Sequence, residues 1–396
     1  MTVTVSKPAL NLREELSALK KISGIKGEEL LRANTVADVY TSLNPTMFRN
    51  RIINGDMRID QSNVLRAVVT INSTAETYTL DRWLAIGQSS AGVYTVDQVQ
   101  DAPSGFIDSL KVTVTTQDAT LGAGEYYWVQ QKIEGYNAAD LAWGSASAKP
   151  VTLSFWVKSS VTGTFSGAFS NSSFNYSYAY EYTINTANTW EQKTISIIGA
   201  PAGTWLTTNG IGVRIYWDLG VGTNYTGVAG SWQSAGYDGS TGSTKLIQTL
   251  NATWQITGVQ LEKGTVATPF EFRPIGTELS LCMRYYQIIT QVPWNQGQSN
   301  RDTATQSYHG QQIQLPMRVA PTIATYDNSG NAVNSCFRYG PGGHYDYGLW
   351  NSKITAIYNI TTQAFAFTTT FSGDTVFESK AIRTLANAGF TLSAEL

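Results

Sequence analysis

The 396-residue sequence predicts an all-β protein: a jelly-roll β-sandwich, a smaller C-terminal β domain after it, and a short N-terminal helical attachment segment before it. Three observations carry that prediction. Apolar residues alternate at period two in many short runs, the pattern of strands with one buried face. Charged residues make up only 14% of the chain, and Gly, Ser, Thr, Asn and Tyr take their place, a composition of strands and turns. Beyond residue 46 no long helical pattern separates successive strands, which argues against a βαβ arrangement.

Residues 1–45 stand apart. Leu12, Leu16 and Leu19 repeat at helical spacing, with Arg13, Glu14, Glu15, Lys20 and Lys21 on the other faces. Gly24 and Gly27 interrupt the pattern, a second short helix is predicted over 28–33, and a third starts at Thr35 before Pro45 ends the region. Short amphipathic helices are marginal alone, so this segment is expected to dock on another protein or on symmetry mates; the alternative is packing on its own β domain.

From residue 46 to 275 the strands come one after another. Asn54-Gly55 signals a tight turn between Ile52-Ile53 and Met57–Ile59. Leu110, Val112 and Val114 share a face, as do Val151, Leu153, Phe155 and Val157, and then Ile211, Val213, Ile215 and Trp217. Tyr176, Tyr178, Tyr180 and Tyr182 occupy one face of a single strand and read as sheet packing, in the core or at a subunit interface, each ring burying area while its hydroxyl stays wet. Residues 218–250 form a Gly/Ser/Thr-rich excursion, and loops that long in compact domains are usually functional or poorly ordered.

The stretch 251–287 closes this domain. Trp254 and Ile256 face one way, Gly258 intervenes, and Val259 and Leu261 resume in the opposite phase, the signature of a β-bulge. Pro269 and Pro274 bracket an extended piece over 270–273. A helical turn is predicted over 278–284 and a strand from Tyr285, so a second domain covers 276–396. It contains a hairpin over 354–371 turning near 361–363, and a Gly- and Tyr-rich loop over 338–350. Along the chain this unit is the part furthest from the attachment segment.

Composition also excludes. A net charge of −2 with so few basic residues disfavours a nucleic-acid surface. Two cysteines, Cys282 and Cys336, cannot make a disulfide framework and fit assembly in a reducing cytoplasm. The N-terminus has neither a basic nor an apolar signal region, and no run reaches membrane-spanning length, so membrane insertion is not expected.

Three segments, 50–61 (NRIINGDMRIDQ), 131–159 (QKIEGYNAADLAWGSASAKPVTLSFWVKS) and 251–287, closely resemble a junction that recurs in virion proteins of tailed bacteriophages, mostly described as tail-fibre or receptor-binding proteins. Together they span about residues 50–290. The resemblance implies a jelly roll of the carbohydrate-binding-module type on a phage particle, in the tail in preference to the head. It implies a homotrimer, N-terminal docking on other virion proteins, and contact with a host-surface glycan. Modules of this shape often hold a structural calcium, for which Asp101 and Asp108 offer loop oxygens.

Catalytic chemistry is poorly represented. The only histidines are His309 and His344, neither in a catalytic motif, and there is no GxSxG, zinc spacing or phosphate-binding glycine loop. Asp81, Glu125, Glu134 and Glu181 are available for glycan cleavage, but the sequence does not place two of them together. The expectation is a non-enzymatic protein with no cofactor, no metal and no catalytic residue. The candidate ligand residues are Tyr339, His344, Tyr345, Tyr347 and Trp350 in the 338–350 loop, with Trp294 and His309 as companions. Planar rings on adaptable backbone suit stacking on sugar faces; the alternative is a loop folded against a neighbouring subunit. The expected function is a tail fibre or receptor-binding appendage. The alternatives are a capsid-bound decoration or head-fibre protein and, less favoured, a glycan-depolymerising tailspike.

Overall fold

A computed structural model describes residues 49–63, 66–88, 91–290, 300–303, 306–326, 335–339, 352–370, 381–383 and 389–396. The chain divides into two units, Met1–Arg49 and Asn50–Leu396. The predicted attachment helices lie outside the described residues.

The second unit begins with β1 (Val69–Ile71), β2 (Thr77–Leu80), β3 (Trp83–Gly87), β4 (Val93–Val99), β5 (Ser109–Thr116), β6 (Tyr126–Glu134), β7 (Val151–Ser159), β8 (Gly163–Ser170), β9 (Ser177–Ile184), β10 (Glu191–Ile197) and β11 (Ile211–Val221). Next come three two-residue strands, β12 (Thr226–Gly227), β13 (Trp232–Gln233) and β14 (Gly239–Ser240), before the long β15 (Thr253–Lys263). They make a jelly-roll sandwich. One sheet has the order β1-β4-β5-β15-β7-β10 and the other β13-β9-β8-β11-β6-β3-β2. Period-two alternation puts Leu110, Val112, Val114, Leu153, Phe155, Ile215 and Trp217 into one core between the sheets. Phe155 from the first sheet meets Tyr182 and Trp217 from the second at ring-centroid distances of 5.1 and 6.1 Å. Tyr178, Tyr180 and Tyr182 are core residues too, as period two on β9 demands.

Gly258 sits at φ +60°, and the β15–β7 register shifts between Thr257 and Gln260. That is the predicted bulge, and it lets Trp254, Ile256, Val259 and Leu261 all reach the core. Alternation does not hold on every strand. Thr152, Ser154, Gln260 and Glu262, on the outward face of β7 and β15, are buried as well. The 264–273 segment covers them: Gln260 accepts from the Glu271 amide at 2.8 Å, and Glu262 from Thr268.

The tight turn at Asn54-Gly55 is present, with the Met57 amide on the Asn54 carbonyl, and no ladder flanks it. One local expectation is corrected. The helix, α1, runs over Ile275–Met283, starting three residues earlier than predicted. Pro274 stands just outside it as the cap, and its carbonyl accepts from the Thr277 and Glu278 amides.

After α1 come β16 (Tyr286–Thr290), β17 (Asn300–Thr303), β18 (Gln306–Gln312), β19 (Thr322–Tyr326), β20 (Ser335–Tyr339), β21 (Ser352–Tyr358), β22 (Ala364–Thr370), β23 (Ala381–Arg383) and β24 (Gly389–Ser393). They form a three-stranded sheet, β16-β24-β19, and a sheet of order β17-β18-β22-β21-β20-β23. The predicted hairpin is β21–β22, closed by the Thr361 amide on the Ala364 carbonyl. Distance along the chain misleads here. β24 returns to pair with β16, and the Leu396 carbonyl accepts from Lys132 on β6 at 2.8 Å and from Tyr78 at 3.1 Å.

Candidate functional site

The three segments singled out in the sequence meet at one buried junction. Asn50 accepts from the Ile52 and Leu261 amides at 3.0 Å and donates to the Val259 carbonyl at 3.0 Å. Asn54 donates to the Ile59 and Asp81 carbonyls, and its own carbonyl receives the Trp83 indole. Gln131 grips Ile53 through both its amide and its carbonyl at 3.0 Å. Glu278 receives the Asn54 amide and Arg273. Glu134 receives Arg284 in a bidentate pair at 2.7 and 2.9 Å and the Tyr285 hydroxyl at 2.7 Å. Arg82 lies over the Tyr285 ring, 3.6 Å from its centroid, and pairs with Glu395. The junction fastens the sandwich to α1 and the start of β16. Asp81 and Glu134, two of the available carboxylates, are committed here, with Asp81 held by Gln61.

A different cluster gathers where loops meet. Tyr176 stands before β9, Trp205 in the β10–β11 connection, Trp232 on β13 and Trp143 in the β6–β7 connection. β13 joins the edge of the seven-stranded sheet by pairing Trp232 with Tyr178. The Tyr176 and Trp232 rings stack at 5.5 Å with planes 4° apart. Trp205 meets Trp232 edge-on at 5.5 Å and Trp143 at 4.8 Å, and Trp143 meets Trp232 at 5.3 Å. Gly203, at φ +87°, permits this approach, since a Cβ there would stand 3.0 Å from Tyr176.

The chemistry of the cluster is narrow. The indole N–H groups of Trp143, Trp205 and Trp232 all donate to backbone carbonyls, of Lys149, Ala202 and Ile198 respectively, which leaves ring surface as the free contact. Tyr176, Trp205 and Trp232 are partly exposed, Ile198 is 60% exposed and Leu206 38%. Residues 171–180, 198–209 and 228–237 contain no Asp, Glu, Lys, Arg or His. A surface of rings, hydroxyls and amides without charge suits an uncharged hydroxylated partner.

Sequence reading placed Tyr176 in a strand pattern but did not find Trp205 or Trp232. The available signal was tryptophan set in glycine-rich, charge-free loops. Of the predicted ligand residues, His309 lies on β18 opposite Phe367 and Tyr339 on β20 opposite Ala381. Trp294, His344, Tyr345, Tyr347 and Trp350 lie outside the described residues, as do the side chains of His309 and Tyr339. Asp101 pairs with Lys158, and Asp108 with Arg66 at 2.8 Å. Among the described residues no three His, Cys, Asp or Glu gather as metal ligands, and no helix is long and apolar enough to cross a membrane.

No protein-family model matches the chain, and no curated protein matches its sequence. Solved structures with local likeness include the enzymatically active domain of bacteriophage CBA120 tailspike protein 4, at 14% identity and TM-score 0.29, covering 55% of this chain and 22% of that one. A family 11 carbohydrate-binding module of the Clostridium thermocellum cellulosomal cellulase Lic26A-Cel5E shows 12% identity and TM-score 0.27, covering 49% of this chain and 98% of the module. TmCBM61, solved with β-1,4-galactotriose, shows 10% identity and TM-score 0.24, covering 49% of this chain and 92% of that one. Likeness at this level carries no functional argument.

Proposed function

We propose that the protein is a non-enzymatic structural protein of a tailed-phage virion, a tail fibre or comparable appendage, that contacts uncharged glycans on the host surface. The observation that carries the glycan contact is the convergence of three charge-free loops on the Tyr176–Trp205–Trp232 ring cluster. Sugar rings present apolar C–H faces rimmed by hydroxyls, which match aromatic faces set among Ser, Thr and Asn. The virion setting rests on the resemblance of 50–61, 131–159 and 251–287 to the phage junction. In this reading residues 1–45 attach the protein to other virion proteins, the chain assembles as a homotrimer in the host cytoplasm, and the 338–350 loop offers a second contact.

Adsorption of purified protein to host cells tests the contact. Tyr176→Ala and Trp205→Ala should each reduce adsorption about tenfold, roughly 1.4 kcal/mol, with the circular dichroism spectrum unchanged. Equal adsorption by both variants overturns the assignment. Release of reducing ends from host polysaccharide would replace a binder with a depolymerase. A chain starting at Thr46 should stay folded yet fail to join particles, and density for the protein on the head would move it from tail to capsid.

A further inference from the structure

One stretch of the chain is turned inside out. In the extended piece over 270–273 the charged side chains face inward. Glu271 accepts from the Asn50 amide at 2.8 Å, and Arg273, 6% exposed, pairs with Glu278 at 3.1 Å. Period two sends Phe270 and Phe272 the other way, and Phe272 is 57% exposed. α1 repeats the inversion at helical spacing: Glu278 and Cys282 are buried, whereas Ile275 and Leu279 are 51% and 36% exposed.

A second loop completes the patch. Phe106, in the β4–β5 connection, stands 5.2 Å from both Phe270 and Phe272, and those two rings are 4.9 Å apart. The bulge makes room for it, since a Cβ at Gly258 would lie 2.6 Å from the Phe106 ring. Ile107, next in the chain, is 57% exposed, and so is Val266 at 52%. Residues 102–107 and 264–270 contain no Asp, Glu, Lys, Arg or His. Buried charge beneath exposed phenylalanine reverses the usual order, and contiguous apolar surface of this kind marks a place that another molecule covers.

The position along the chain says what covers it. The second unit begins at Asn50. The Asn50 amide donates to Glu271 and its carbonyl accepts from Arg273, the two residues that flank Phe272. Pro45 ends the predicted helical region, and the chain from there to Asn50 spans at most about 18 Å. A protein that grips residues 1–45 is therefore brought up to this face.

We propose that Phe106, Ile107, Phe270 and Phe272, continued by Ile275 and Leu279, form a seat on which the sandwich rests against the virion protein that holds residues 1–45. The seat presupposes the attachment proposed above and adds a second contact to it. The matching surface of that protein is aliphatic or aromatic and uncharged. A single tether leaves the sandwich free to swing, whereas tether and seat together set the angle at which it stands.

Particles assembled in host cells from genomes carrying each variant test the seat, with copies per particle read by quantitative mass spectrometry. Ile107→Ser and Phe272→Ser combined, both at exposed side chains, should lower the copy number at least tenfold. The purified double variant should keep the Tm and the oligomeric mass of the parent. Leu250→Ser, at an exposed residue elsewhere, should leave the copy number unchanged. A chain starting at Thr46 that joins particles normally overturns the attachment itself. If that chain fails to join while the double variant joins at parental numbers, the attachment stands and the seat alone falls. Loss of oligomeric mass in the double variant would assign the patch to a second copy of the chain. Binding of an apolar dye only after residues 1–45 are removed would assign it to the chain's own helices, and a lowered Tm to the core. Each of these three results overturns the proposal.

Discussion

The junction and the loop-end cluster are built by opposite rules. At the junction, charges are buried and each is met: Arg273 and Glu278 are both 6% exposed and lie 3.1 Å apart, and Glu134 holds Arg284 and Tyr285 together. At the loop end there is no charge over three segments, and the contacts are between rings. Buried ion pairs tolerate little error, because a lost partner leaves an uncompensated charge. Ring clusters under glycine-rich loops are more forgiving and more exposed. One region therefore fixes how two parts of the chain meet, and the other keeps apolar surface available to an outside partner.

The largest effect should come from breaking the junction. Arg273→Met keeps the bulk of the side chain but leaves the Glu278 carboxylate buried with only the Asn54 amide, at a cost of about 3–5 kcal/mol. Denaturant unfolding that moves by under about 1 kcal/mol would make the pair no more than a surface bridge. Next is Gly258→Ala. The left-handed φ of +60° and a Cβ 2.6 Å from Phe106 should together cost about 2 kcal/mol, read as a shift in the unfolding midpoint. Trp205→Ala should cost less, about 1–2 kcal/mol, because the ring is already partly in water. If it unfolds the protein as Arg273→Met does, the cluster is core and the contrast collapses.

The smallest effect lies beside the junction. Burial pushes the Asp60 carboxyl from 3.8 up to about 6, against the hydrogen bonds from Asn63 that pull it down. With the folded value above the unfolded one, its contribution to stability is fully present below pH 3.8 and lost as pH rises through about 6. Tm should therefore fall across that window, and Asp60→Asn should remove part of the slope. Asp56 and Asp81 are raised by burial in the same direction, so some slope will remain. An Asp60→Asn profile that overlays the parent would remove Asp60 from the account.

Much of the sandwich was legible because one property, side-chain alternation, is local. Leu110, Val112 and Val114 declare β5 without reference to any partner, and the phase slip at Gly258 declares its bulge. The junction was legible only as a resemblance. Its bonds join residues such as Glu134 and Tyr285, 151 positions apart, and nothing local in either predicts the other. The loop-end cluster needed strand order as well, because Tyr176, Trp205 and Trp232 meet only once β13 has joined the edge of β9.

The return of β24 to β16 has a mechanical meaning. The chain leaves the sandwich along β16 and returns along β24, side by side, and β19 and Arg318 between them are fastened to the same mount. A pull that arrives along β16 and β24 together is shared between both strands along their length, and does not peel one from the other. The ladder between them bears little of the load, and the force arrives at Tyr285, Arg82 and Glu134, where the ion pairs are.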